Sequence, residues 1–139
     1  MNSLRIALIP GLIAGVISIL TSWFWVGFVF HKFQSRTPQT WRAESPRTHA
    51  LASLIQIGAC VVIATMYVMV ARGNEGTLGL GLYGAVWFAL LGWTAFAAPL
   101  LVVNALYLNV HPLVTLGFLL NWLTIAFLAS LIPGWWLLR

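Results

Sequence analysis

Charge is the scarcest thing in this sequence. Only 6% of its 139 residues are Asp, Glu, Lys or Arg, where a water-soluble domain carries roughly 25%. A chain so poor in charge cannot clothe a surface that faces water. Acidic side chains are rarer still: Glu44 and Glu75 are the two, and neither lies within an apolar run. No carboxylate is therefore available inside a membrane to drive an antiporter of the small multidrug type. Cys60 is the single cysteine, which excludes a disulfide framework and a thiol pair within one chain. It reads as a small buried packing residue. There is no H-E-x-x-H, no C-x-x-C and no glycine-rich phosphate loop. The serines and threonines of the apolar runs have no base at helical spacing. An enzyme is not expected, and no cofactor or metal is implied.

What the chain has in excess is apolar bulk: 61% hydrophobic residues and a mean hydropathy of +0.96. This predicts an all-α integral membrane protein, one four-helix transmembrane domain built as two helical hairpins. The helices are expected at about 4–30, 48–71, 79–108 and 112–132, with a basic loop at 31–47.

The first run, from Leu4 to Phe30, is broken by charge only at Arg5. It continues through Ser22-Trp23-Phe24-Trp25 with no A-x-A cleavage pattern, so it reads as an uncleaved first span. Gly11, Gly15, Ser18 and Ser22 fall on one face and permit close approach of a neighbouring helix. In the loop, Thr37-Pro38 predicts a short helix through Trp41 to about Glu44, lying on the headgroups. Ser45-Pro46 predicts a second cap that opens the next span. On that span Ser53, Gln56, Cys60, Ala64 and Tyr67 share a face. Gln56 is deep enough that its amide should face the bundle interior. Arg72-Gly73 predicts a left-handed glycine cap.

The third run is about 45 Å long if straight, more than the ~30 Å hydrocarbon core. Pro99 predicts a bend, since it deprives the Ala95 carbonyl of its helical donor. Gly81, Ala85, Ala89 and Gly92 form a second small-residue face, and Trp87 and Trp93 each want an acceptor if buried. The fourth helix opens at Pro112. Pro133-Gly134 is expected to end it, with Trp135 and Trp136 at the interface. Gly117, Asn121, Thr124 and Leu128 share a face of this helix.

The Trp23-Phe24-Trp25…Phe28…Phe30…Lys32 exit from the first helix, the basic loop, Pro99…Asn104 and Asn121-Trp122 together resemble a family of small bacterial four-helix membrane proteins. That family is known as domain of unknown function seventeen sixty-one. The resemblance covers most of the chain. It implies four helices in a bacterial inner membrane and supplies no catalytic residue.

The net charge is +5, which in a membrane protein speaks of orientation and of anionic lipid headgroups at the basic loop, not of nucleic acid. Lys32, Arg36, Arg42 and Arg47 are denser than Arg5, Arg72 and Arg139 on the opposite side. The first loop is therefore expected in the cytoplasm and both termini outside. Any arrangement of two hairpins puts His31, His49 and His111 on one membrane side, with Gln56 and Asn104 in the same half and Asn121 at its deep edge. These six form a candidate polar vestibule, and Asn104 and Asn121 are expected to point inward and meet near the Pro99 bend. Two functions fit. One is a non-catalytic packing or accessory subunit of a homo-oligomer or larger membrane complex. The alternative is a channel or transporter for a small neutral or anionic solute, since broken helices line transport sites.

Overall fold

A computed structural model describes residues 3–41, 45–73, 78–79 and 81–138. Of these, 88% are helical and none is in a strand, which fixes the all-α class. Four helical spans are long and apolar enough to cross a membrane: Ser3–Val29, Pro46–Arg72, Leu82–Tyr107 and Pro112–Trp136.

Local chemistry explains most of the boundaries. Ser45 caps the second span as expected, its Oγ accepting from the Thr48 N–H at 3.1 Å, with Pro46 in the first turn. The fourth span starts at Pro112, where the ring nitrogen Nδ1 of His111 accepts from the Leu113 N–H at 3.2 Å. The short helix expected after Thr37 is a single 3-10 turn, Pro38–Thr40, and Thr37 does not cap it. Arg42 and Glu44 lie outside the described residues, as do residues 74–77 with Glu75, and Arg139. A short helix that the sequence did not suggest, His31–Gln34, follows the first span directly.

Two expectations are corrected. Gly73 has φ −94°, so it is not a left-handed cap; the positive φ falls at Gly81, at 118°, where a side chain would be strained. The fourth helix does not stop at Pro133-Gly134 but runs on to Trp136, with both residues buried. An added Cβ on Gly134 would lie 3.1 Å from Ala85 and 3.2 Å from the Gly81 carbonyl. Packing against the third span therefore holds the helix past its proline. The third span loosens into a π-type turn over Trp93–Ala97 just before Pro99. The wider turn lets the Ala98 N–H reach the Trp93 carbonyl, an adjustment of the kind that accommodates proline in a membrane helix. The first span ends in a similar π segment, Trp23–Val29.

The spans do not contribute equally. The first and second lie closest: a Cβ added to Gly11 would come 2.8 Å from the Val61 backbone, and one added to Gly15 would come 2.9 Å from that of Ile57. The fourth packs against both, with Ala14, Cys60, Ile125 and Ala129 fully buried between them. The third span packs chiefly on the fourth, with Ala85 against Gly134 and Trp93 bonded to Leu119. In their most apolar stretches the first, second and fourth spans are 33%, 28% and 33% buried, and the third is 6%. The molecule is thus a three-helix core with a fourth helix laid along one side. An apolar groove of about 580 Å³ separates that helix from the second span, lined by Ile63, Met66, Phe88, Trp93, Phe96 and Trp122 among others.

Candidate functional site

Two pairs of polar residues one helical turn apart, Ser18 with Ser22 and Gln56 with Cys60, face each other across the closest helix contact. Asn121 meets them from the fourth span. The Gln56 amide nitrogen donates to Ser18 Oγ at 2.8 Å and to Ser22 Oγ at 2.7 Å. Ser22 Oγ donates to Asn121 Oδ1 at 2.7 Å, and Ser18 Oγ donates to the Gly15 carbonyl at 2.7 Å. Cys60 Sγ lies 3.6 Å from Ser18 Oγ. Each serine has one proton to give and lone pairs to receive, so Gln56 spends both amide protons and each hydroxyl serves as acceptor and donor in turn. The knot ties three spans together at about mid-membrane. It contains no acid or base, and the Gln56 amide protons and the Ser22 hydroxyl proton are committed to acceptors within it.

Further bonds join the same helices. Trp25 Nε1 donates to Thr124 Oγ1 at 3.1 Å, and Thr124 Oγ1 donates back to the Leu120 carbonyl at 2.8 Å. Trp93 Nε1 donates to the Leu119 carbonyl at 3.0 Å, which supplies the acceptor that a part-buried indole requires. Near the end of the bundle that holds Leu137, Tyr67 is fully buried. Its hydroxyl donates to the Gly81 carbonyl at 2.8 Å and accepts from the Gly81 N–H at 3.1 Å. One phenol thereby satisfies both backbone groups of the glycine that enters the third span. Thr115 Oγ1 is buried with no hydrogen-bond partner, alone in this among the side-chain polar atoms of the described residues.

At the opposite end the first loop closes over the start of the fourth span. The His111 ring stacks on Phe33 with centroids 5.3 Å apart and planes 13° from parallel. Lys32 Nζ and Arg36 Cζ lie 5.2 and 5.5 Å from the centre of the same Phe33 ring. Arg36 Nη1 is 3.4 Å from His111 Nε2, and Thr40 Oγ1 donates to the Asn109 carbonyl at 2.6 Å.

The six vestibule residues do not converge. Gln56 and Asn121 meet through Ser22, while Asn104 is exposed on the outer helix. The expected inward turn of Asn104 and its meeting with Asn121 are thus corrected. Depth gives the reason. Asn104 lies three residues from the end of its span at Tyr107, about 4.5 Å along the axis. The 26-residue span is about 39 Å long, some 9 Å more than the hydrocarbon, so the amide sits near the hydrocarbon edge and can reach the headgroups. His31 and His49 are exposed and His111 is half-buried. Among the described residues no three His, Cys, Asp or Glu side chains gather as a metal set.

Of the small residues, Gly11, Gly15, Ser18, Gly81, Ala85 and Ala89 are buried, and Ser22 and Gly92 are partly so. Sequence reasoning valued Ser18 and Ser22 for their size and missed them as partners of Gln56. The signal was present, because an amide at that depth needs acceptors on the face opposite it. Tyr67 was placed on the inner face, but its bond to Gly81 depends on a loop path that helical spacing does not encode.

No family model matches this chain, and no curated protein or solved structure matches it.

Proposed function

We propose that this protein is a non-catalytic accessory subunit of a bacterial inner membrane, assembling with itself or within a larger membrane complex. This reading keeps the resemblance to the four-helix family of unknown function. The observation that carries it is the imbalance of burial: 6% in the third span against 28–33% in the others. Three helices already form a packed, hydrogen-bonded core, and the helix beside them offers most of its circumference to a neighbour. Helix association in lipid rests on packing and interhelical polar contacts, so a long free helix is a ready association surface. A solute pathway would need polar groups left open along a route. The hydroxyls of Ser18 and Ser22 and the amide protons of Gln56 are used in bonds within the core, and the groove beside the third span is apolar. The basic first loop is assigned to the cytoplasm and both termini to the outside.

Cross-linking in native membranes tests the proposal. A cysteine at Phe96, 75% exposed on the third span, in a Cys60→Ala background should form a bis-maleimide adduct with another copy or another subunit. A cysteine at Leu54 on the second span is the control. Monomer alone from Phe96→Cys, or equal cross-linking at both positions, would remove the assignment of the third span as the association face.

A further inference from the structure

We propose that Arg36, His111 and Lys32 form a binding site for the phosphate of an anionic phospholipid headgroup, at the start of the fourth span. The proposal begins with a mismatch of donors. The Leu113 N–H points at His111 Nδ1 at 3.2 Å, and Arg36 Nη1 lies 3.4 Å from His111 Nε2. A neutral imidazole has one bare nitrogen, so it can accept from one of these donors and not both. With the Leu113 bond made, Nε2 carries the proton, and two N–H groups face each other with no acceptor between them. With the other tautomer, the Leu113 N–H meets a second donor instead. A phosphate oxygen beside Nε2 and the guanidinium resolves the conflict by accepting from both.

The charge around this point agrees. Lys32 and Arg36 share the Phe33 ring with His111 and make no ion pair among the described residues. Two cations therefore lie against the aromatic ring on which the imidazole stacks. Their positions are built: Phe33 supports the imidazole by stacking, and the Thr40–Asn109 bond fastens the first loop to the third. The level is right for a lipid. The fourth span has 25 residues, about 37 Å, against a ~30 Å hydrocarbon core, so its first residue lies about 3–4 Å beyond the acyl chains. The positive end of that helix adds a smaller attraction of the same sign.

The test compares the purified full chain in nanodiscs of phosphatidylcholine with and without phosphatidylglycerol, followed by native mass spectrometry of retained lipid and by Tm. The wild-type chain should retain phosphatidylglycerol and gain Tm from it. Arg36→Gln should lower retention at least about fivefold, in keeping with loss of one charge-assisted hydrogen bond. His111→Asp keeps an acceptor for the helix cap but repels the phosphate, and should abolish retention. Arg5→Gln, at the other end of the bundle, should leave retention unchanged. Equal loss in Arg5→Gln and Arg36→Gln, or none in Arg36→Gln, would overturn the site. Displacement of phosphatidylglycerol by millimolar inorganic phosphate would assign it to a soluble anion and overturn the lipid.

Discussion

Replacing Tyr67 with Phe removes one oxygen and strands one backbone N–H, that of Gly81. The Gly81 N–H would lose its acceptor, while the Gly81 carbonyl keeps the Ala85 N–H at 3.0 Å, and an unsatisfied buried polar group costs about 1–3 kcal/mol. Asn121→Leu should cost less, near the ~0.6 kcal/mol average for a side-chain bond in lipid, because Gln56 and Ser18 keep their own bond. Unfolding of both variants in mixed micelles checks the order, and a larger loss for Asn121→Leu would show that the knot is more cooperative than its single bonds. Thr115→Val should act in the opposite sense. It deletes a buried hydroxyl that has no partner and keeps the branched shape, so a gain of about 1 kcal/mol is expected. At this scale the sequence was informative where depth alone decided the outcome, as for Gln56 and Asn121. It misled for Asn104, which shares their chemistry but lies close enough to the headgroups to need no protein partner.

Among the helices, the junction of the first two spans has the least room. Gly15→Leu would drive a side chain into the Ile57 backbone, and a loss of at least about 1–3 kcal/mol is expected from overpacking. Ala85→Leu should instead loosen the third span from the fourth while leaving the polar knot intact. Limited proteolysis with a thermal melt separates the two: Gly15→Leu should lower the main transition, and Ala85→Leu should make the start of the third span, from Leu82, more accessible with little change in it. Identical behaviour of the two variants would contradict the division into a core and an added helix. Span starts were legible, since Ser45-Pro46 and His111-Pro112 carry their caps in the sequence. Span ends were not. Pro133 reads as a stop, yet tertiary packing of Gly134 on Ala85 carries the helix through. The π segments at Trp23–Val29 and Trp93–Ala97 have no residue pattern that announces them.

For the whole molecule, four spans were legible in the sequence. It could not say which helix stands apart, because all four have a small or polar face and similar apolar bulk. That choice depends on which faces fit one another, which is decided by shape in three dimensions. Sidedness has its own check. A cysteine at Ser35, exposed in the first loop, in a Cys60→Ala background should resist an impermeant maleimide in intact cells and label after permeabilisation. Labelling in intact cells would reverse the orientation.

The peripheral third span also has a consequence for how the chain is made. Spans enter the membrane in order, and the first two can pair as soon as both have emerged. The third arrives before the fourth, the helix that supplies most of its docking surface. Roughly 30 further residues must be synthesised before that surface is complete, about 1–6 s at ordinary translation rates. During this interval the small faces of Ala85 and Ala89 are open to lipid or to the insertion machinery. The fourth span is then the one that closes the bundle, bringing Asn121 to the waiting Ser22 and capturing the third span in the same step.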